Sequence, residues 1–263
     1  MKTNSVVYIE KKEEIALITI DNPPVNTLSA NVIDQLSQLM IDIEKDVEVR
    51  VVIITGHGEK AFVAGANIKE FPNWMGKGKK LAEEKAKWMQ RPLNLIDRLP
   101  KPTIAVINGL ALGGGCELAL SCDLRIAEEH SKIGLPEITL GLFPGAGGTQ
   151  RLPRIIGEGR AKELMLIGKP ITASKALRYG LVNLVVPQGK ALEKAYEIAR
   201  KLSTYSMPAL SLMKRAITEG RETSLEKGLA IEAKYFGEVF QTEDVEEGVS
   251  AFIEKRSATF IHK

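Results

Sequence analysis

Two glutamates stand where charge is least expected. Glu117 lies in GLALGGGCELALSCD, residues 109 to 123, and is the one charged residue between 103 and 122. A twenty-residue apolar run has about the length of a membrane span. Four glycines, three of them consecutive, and Asn108 argue against a spanning helix. A buried strand over 103–108, a tight turn at Gly113-Gly114-Gly115 and a short helix over 116–121 fit better. Glu117 then falls in the first turn of that helix. Its simplest role there is an acid favoured by the helix dipole, worth about 1 kcal/mol or less. Glu137 follows twenty residues later, in LPEITLGLFPGAGGTQRLPRIIG, 135 to 157, ahead of a glycine-rich turn and an expected helix. A buried carboxylate without a partner is costly, so it shifts its pKa or has a chemical role.

Glycine-rich turns raise the possibility of a phosphate loop. Neither turn carries the Lys-Ser/Thr of a P-loop. Gln150 stands where a dinucleotide fingerprint needs its third glycine after Gly145 and Gly147, and no G-x-S-x-G occurs. What remains is two carboxylates beside glycine turns, and a third such segment, VAGAN, 63 to 67. Glycine lets backbone N–H groups approach one atom unobstructed. Two such donors stabilise an oxyanion formed from a carbonyl. Two carboxylates can move protons on adjacent carbons or on water. The chemistry indicated is enolate formation on a polarised carbonyl, which needs no metal.

The positioning elements follow from periodicity. Residues 15–20 read as a strand ended by Asn22-Pro23-Pro24. Ser29 caps a helix reaching about Glu44, with Val32, Ile33, Leu36, Leu39, Met40 and Ile43 on one face. RVVIITG, 50 to 56, reads as a strand buried on both faces. A loop follows over GEKAFVAGAN, and then a lysine-rich solvated helical flap from Pro72 to Lys87. A helix near 88–99 must tolerate Pro92, so a break or kink is expected. A strand over 123–127 closes this part. After about Gly159 only 181–186 reads as a strand, while 159–167, 172–179, 190–203, 207–219, 224–240 and 244–255 read as helices. The expected organisation is an α/β core over 1–200 and a helical cap and assembly region over 201–263.

Composition limits the alternatives. The chain has 263 residues, 44% hydrophobic and 26% charged, with a net charge of +3. That balance is ordinary for a globular protein and gives little support to general nucleic-acid binding. MKTNSVVYIEKKEE lacks the apolar core of a secretion signal, and no other stretch reads as a membrane span. Cys116 and Cys122 match no metal or redox spacing, so a reducing, cytoplasmic setting is expected. His57, His130 and His262 match no catalytic or zinc motif and read as surface or loop residues.

Several segments, taken in order, resemble the enoyl-CoA hydratase (crotonase) family over nearly the whole chain. They are NPPVNTLS at 22, KAFVAGANIKEF at 60, KPTIAVINGLALGGGCELALSCD at 101, IGLPEITLGLFPGAGGTQRLPRIIG at 133 and EGVSAFIEKR at 247. The resemblance implies a crotonase-like spiral of ββα units with a helical C-terminal assembly region. It implies an oxyanion hole from the N–H groups of Ala66 and Gly114, with Glu117 and Glu137 as the catalytic carboxylates. Ala64, Asn67, Ile68 and Lys69 would line the CoA side, with adenine near Ala64 and Ile68. Gly145 would help place water near Glu137. Phe236 and Lys255 would contact acyl chain or CoA phosphate, often from a neighbouring subunit. Asn67 departs from the aspartate common there and receives no catalytic role.

By the same resemblance no cofactor or metal is implied, since CoA belongs to the substrate. The expected partners are an acyl-CoA and further copies of the chain, as a trimer or dimer of trimers, with no nucleic acid and no membrane. Two glutamates suit the syn addition of water to a 2-trans-enoyl-CoA, as in fatty acid β-oxidation or related acyl-CoA metabolism. An isomerase can manage with one. Isomerase, methylglutaconyl-CoA hydratase and 3-hydroxybutyryl-CoA dehydratase activities are the alternatives within the family. A non-catalytic RNA-binding member, supported only by the lysines at 77 to 87, is the alternative of another class.

Overall fold

The computed structural model describes residues 5–263. Residues 1–4 begin both the stretch read for a secretion signal and the expected 1–200 unit, and they lie outside the described residues. In chain order the strands are β1 (Val7–Lys12), β2 (Ile15–Ile20), β3 (Val51–Gly56), β4 (Ala61–Ala64), β5 (Thr103–Ile107), β6 (Leu110–Leu112), β7 (Leu124–Glu128), β8 (Lys132–Gly134), β9 (Ile171–Thr172) and β10 (Leu184–Val186). The helices are α1 (Ala30–Lys45), α2 (Lys79–Arg98), α3 (Gly114–Ser121), α4 (Gly148–Ile156), α5 (Glu158–Ile167), α6 (Ala173–Tyr179), α7 (Ala191–Ser203), α8 (Met207–Gly220), α9 (Leu225–Val239) and α10 (Glu243–Glu254).

Six strands form one sheet in the order β1-β2-β3-β5-β7-β10, and four form another in the order β4-β6-β8-β9. The first is parallel from β2 onward, with β1 antiparallel at its edge. The second is parallel except for β9. The pairs β3–β4, β5–β6 and β7–β8 each place one strand in each sheet, so the two sheets advance in step. This is the expected spiral: α3 follows the second pair, and the short 3₁₀ helix Glu137–Leu140 follows the third. Each circuit delivers a chain segment to the same end of the second sheet, which is how residues distant in sequence converge.

Every residue of β3 and β5 is buried, as continuous β-branched runs require. One face of the large sheet packs on the main core. The other is covered by α7, whose Ala191, Ala195 and Ala199 share one helical face and let the helix lie close. Ser29 caps α1 by accepting from the Val32 amide, and all the expected core positions of α1 are buried except Leu39, which is partly so. At the other end of α1 the buried Lys101 Nζ donates to Ile43 O and Asp46 O, both at 2.5 Å. Arg125 does the same for α3, donating to Cys122 O at 2.6 Å.

Three expectations need correction. The break at Pro92 does not occur: α2 is one helix from Lys79 to Arg98, with Pro92, Leu93 and Ile96 buried against the core. Burial of that face outweighs the single lost hydrogen bond. The segment after Gly56 is not all loop, because Ala61–Ala64 is a strand. The third helix starts at Gly114, two residues early, because the glycines themselves complete its first turn. Strands β1, β6, β8 and β9 add to those expected. No helix among the described residues is long and apolar enough to cross a membrane.

Candidate active site

The three consecutive glycines have three different roles. Gly113 takes φ of 51°, which turns the chain from β6 into α3. Gly114 opens the helix, and a Cβ there would lie 3.5 Å from Ala66 N. Gly115 lets α3 press onto β4, since a Cβ would meet Val63 O at 1.8 Å. The first amides of a helix have no intrahelical acceptor, so the Gly114 N–H points out of the helix end. The Ala66 N–H is freed differently. Leu28 bridges this segment in parallel fashion: its N–H donates to Gly65 O at 2.9 Å, and its O accepts from Asn67 N at 3.2 Å. That pairing uses the residues on either side and leaves the Ala66 amide to the pocket. Ala66 and Gly114 both line the pocket.

Glu117 is buried one turn into α3. Its Oε1 accepts from Ala146 N and Gly148 N, both at 2.8 Å. The donors stand at the entry to α4, Ala146 in the preceding loop and Gly148 as the first helical residue, and Gly147 between them has φ of 116°. The carboxylate is therefore gripped by one oxygen, and Oε2 is the oxygen left for exchange. Glu137 begins the 3₁₀ helix, and its Oε1 comes within 3.0 Å of where a Gly113 Cβ would be. Its Oε2 is buried without a hydrogen-bond partner.

Both acids are held away from their ordinary ionisation. Burial pushes Glu117 up to about 7, and the charge of Glu137 adds to the rise. The Gly148 and Ala146 amides and the Arg151 guanidinium oppose it. Burial also raises Glu137. Burial thus favours the protonated form of both acids. Burial likewise raises Cys116 and Cys122, which are free thiols, so neither is a nucleophile.

The pocket has a volume of about 740 Å³. Ala64, Ala66, Ile68, Gly114, Glu117, Glu137 and Gly145 all line it. Asn67, Lys69, Phe236 and Lys255 do not. Asn67 instead donates from Nδ2 to Glu70 Oε1 at 2.8 Å, fastening the donor loop. Lys69 is exposed. Phe236 is exposed on α9 beside Phe240, and Lys255 ends α10 in a left-handed conformation. The lysine-rich segment does more than present a solvated face. Lys77, Lys79, Lys80 and Lys87 are exposed, but Ala82, Ala86, Met89 and Gln90 of α2 wall the pocket with Trp74, Leu142 and Phe143.

Sequence reading missed Arg151, Gln90 and Asn94. Gln90, Asn94 and Asp97 form an i, i+4, i+7 polar stripe on α2, a signal that was available. Gln90 Nε2 donates to Gly145 O at 2.8 Å, and Arg151 Nη2 donates to Asn94 Oδ1 at 2.7 Å.

Comparison with known proteins identifies the family and the fold. The family model described as enoyl-CoA hydratase/isomerase matches residues 10–263. The short-chain-enoyl-CoA hydratase of Clostridium acetobutylicum is 43% identical over 258 residues, covering 97% of each chain. The crotonyl-CoA hydratase of Syntrophomonas wolfei is 42% identical over 258 residues, covering 98% of each. The crystal structure of an enoyl-CoA hydratase from Bacillus anthracis superposes with a TM-score of 0.92 at 41% identity, covering 98% of this chain and 100% of that one. The spiral of paired strands and a family match over almost every residue lead to one assignment: this chain belongs to the enoyl-CoA hydratase/isomerase family.

Proposed function

We propose that the protein is an enoyl-CoA hydratase, adding water reversibly and syn across a 2-trans-enoyl-CoA to give the 3-hydroxyacyl-CoA. The observation that carries this reading is that buried Glu117 and Glu137, whose Oε2 is buried without a partner, line one pocket together with Ala66 and Gly114. The thioester oxygen takes the N–H groups of Ala66 and Gly114, which stabilise the enolate as it forms. Water adds its hydroxyl to the β-carbon, and a proton reaches the α-carbon. One carboxyl must accept a proton while the other, or the same one in turn, delivers one. Burial raises both acids, which favours the protonated form a donor needs, and an ionised carboxylate can accept. The relatives named as hydratases support this choice over isomerisation.

Further parts of the reading rest on chemistry and resemblance. The CoA moiety runs past Ala64 and Ile68, and the acyl chain enters the apolar space between α2 and residues 139–144. Assembly as a trimer, or dimer of trimers, is supported by the exposed Leu229, Phe236, Phe240, Phe252 and Ile253 on α9 and α10. In that assembly Phe236 and Lys255 would serve a neighbour's substrate, and the setting would be cytoplasmic. Initial rates across a series of 2-enoyl-CoA chain lengths, with a 3-enoyl-CoA as control, test the activity. Hydration of the 2-enoyl series is expected. Isomerisation of the 3-enoyl compound without hydration would overturn the reading.

A further inference from the structure

The grip on Glu117 depends on a loop that has little of its own to hold it. Residues 144–148 carry Gly145 and Gly147, and Gly147 lies in the left-handed region. A loop of that composition needs outside ties to keep two amides aimed at one oxygen. The ties come from α2, through the polar stripe opposite the loop. Gln90 takes Gly145 O directly. Asn94 and Asp97 act through Arg151, whose Nη2 lies 2.7 Å from Asn94 Oδ1 and 3.5 Å from Asp97 Oδ2. The other arm of the guanidinium, Nη1, donates to Ala146 O at 3.4 Å. Ala146 therefore accepts from Arg151 through its carbonyl and donates to Glu117 through its amide.

Arg151 is well placed for this. Its side chain is 11% exposed, and Nε is buried without a partner. A Cβ at residue 147 would stand 2.3 Å from Nη1, so the guanidinium lies directly against the loop backbone. A buried arginine with an unsatisfied Nε is not an efficient stabilising device. Its position serves the loop and places a positive charge behind Glu117.

We propose that Arg151 is a positioning residue: anchored on Asn94 and Asp97 of α2, it fixes the 144–148 loop and so holds the Glu117 carboxylate in its working orientation. The inference rests on the hydratase reading for what that orientation is used for, but not for the orientation itself. The charged and titratable groups facing Glu117 are few. They are Glu137 from the 3₁₀ helix, Arg151 from α4, and the Cys116 thiol on its own helix; Asp97 of α2 and Arg125 of β7 lie behind Arg151 and Cys116 respectively. Removing the guanidinium takes away the one cation of this set that opposes the rise of Glu117, and it loosens the two amides that also oppose it.

The test reads Glu117 with and without turnover. Infrared difference spectra over a pH titration, with the Glu117 band assigned by its loss in Glu117→Gln, follow protonation directly. In Arg151→Met the midpoint should move upward by roughly half a unit to one unit. The kcat for crotonyl-CoA hydration should fall about tenfold or more with KM changed less than about threefold, and the acid limb of the pH–rate profile should move with the infrared midpoint. Arg151→Lys restores the charge as a single point but cannot span Asn94 and Ala146 O together, so it should recover most of the midpoint and little of the kcat. Asn94→Ala, which leaves Arg151 and the pocket wall in place, should shift both readouts the same way by less, and it serves if Arg151→Met does not fold. A wild-type midpoint and acid limb in folded Arg151→Met, or in Asn94→Ala if that variant must stand in, would overturn the proposal. Wild-type protein inactive on every enoyl-CoA would instead remove the hydratase reading, and the infrared midpoints would still judge Arg151.

Discussion

The charge state of Glu117 can be followed through stability as well as rate. An ordinary glutamate loses its proton near 4.5, and burial holds this one to about 7 in the folded chain. Between those values the folded state keeps a proton that the unfolded state has released. Stability therefore falls as pH rises through that window and levels off above it. A rise of that size corresponds to about 3 kcal/mol at most. Glu117→Gln, which keeps an acceptor for the two amides, should gain on the wild type across the window. Denaturant midpoints should nearly coincide near pH 4.5 and favour the variant above pH 7. Activity should respond the opposite way. Glu117→Gln and Glu137→Gln should each lose about 10² to 10⁴ in kcat with little change in KM, and the double variant should lose far less than the product. Near-normal hydration by folded Glu117→Gln would return that residue to the role of a helix-end acid. Both carboxylates were legible in the sequence because a lone charge among glycines and aliphatics is conspicuous. Arg151 was not legible, because TQRLPR reads as an ordinary basic surface helix. Only the loop geometry shows the guanidinium turned inward.

At the scale of elements, the decisive contact is α3 against β4. Gly115→Ala would drive a methyl into Val63 O, and backbone cannot yield as a side-chain tip can. The helix must move off the strand, carrying Gly114 and Glu117 with it. A loss of about 1 to 3 kcal/mol in stability is expected, together with a fall in kcat. Gly159→Ala is the control: it lies in α5 with nothing near its Cβ position, and should be neutral or stabilising by up to about 1 kcal/mol. Parallel unfolding curves and rates for the two variants check both. The long elements were legible. β2, β3, α1 and α7 through α10 have clear periodicity, and their observed ends fall within a residue or two of those expected. The second sheet was mostly not. β6, β8 and β9 have three, three and two residues, too few to show alternation, and they exist because the spiral brings them side by side. α2 was read in two parts because proline was weighed by its local effect, whereas burial of its face keeps the helix whole.

For the whole molecule, the C-terminal helices present several large apolar side chains to the surface. Leu225, Phe252 and Ile253 are 80%, 85% and 73% exposed. Light scattering should show a trimer or hexamer that persists on dilution, and an active, dilution-stable monomer would exclude it. If Lys255 reaches a neighbour's CoA phosphate, Lys255→Glu should raise KM more than it lowers kcat, with an effect that shrinks in high salt. Equal effects on a CoA and a truncated pantetheine thioester would assign it no such contact. The pairing of Leu28 with the residues on either side of Ala66 has one more consequence. Amide hydrogens within a buried sheet normally exchange with solvent deuterium slowly, because each is tied to a carbonyl. Among the described residues the hydrogens on Ala66 and Gly114 are tied to no carbonyl, although the paired strands β4 and β6 precede them directly. In the resting protein they should be a fast pair inside a slow neighbourhood. A thioester bound in the pocket should slow these two together and little else nearby. The same two atoms that would stabilise the enolate would then report, residue by residue, when the pocket is filled.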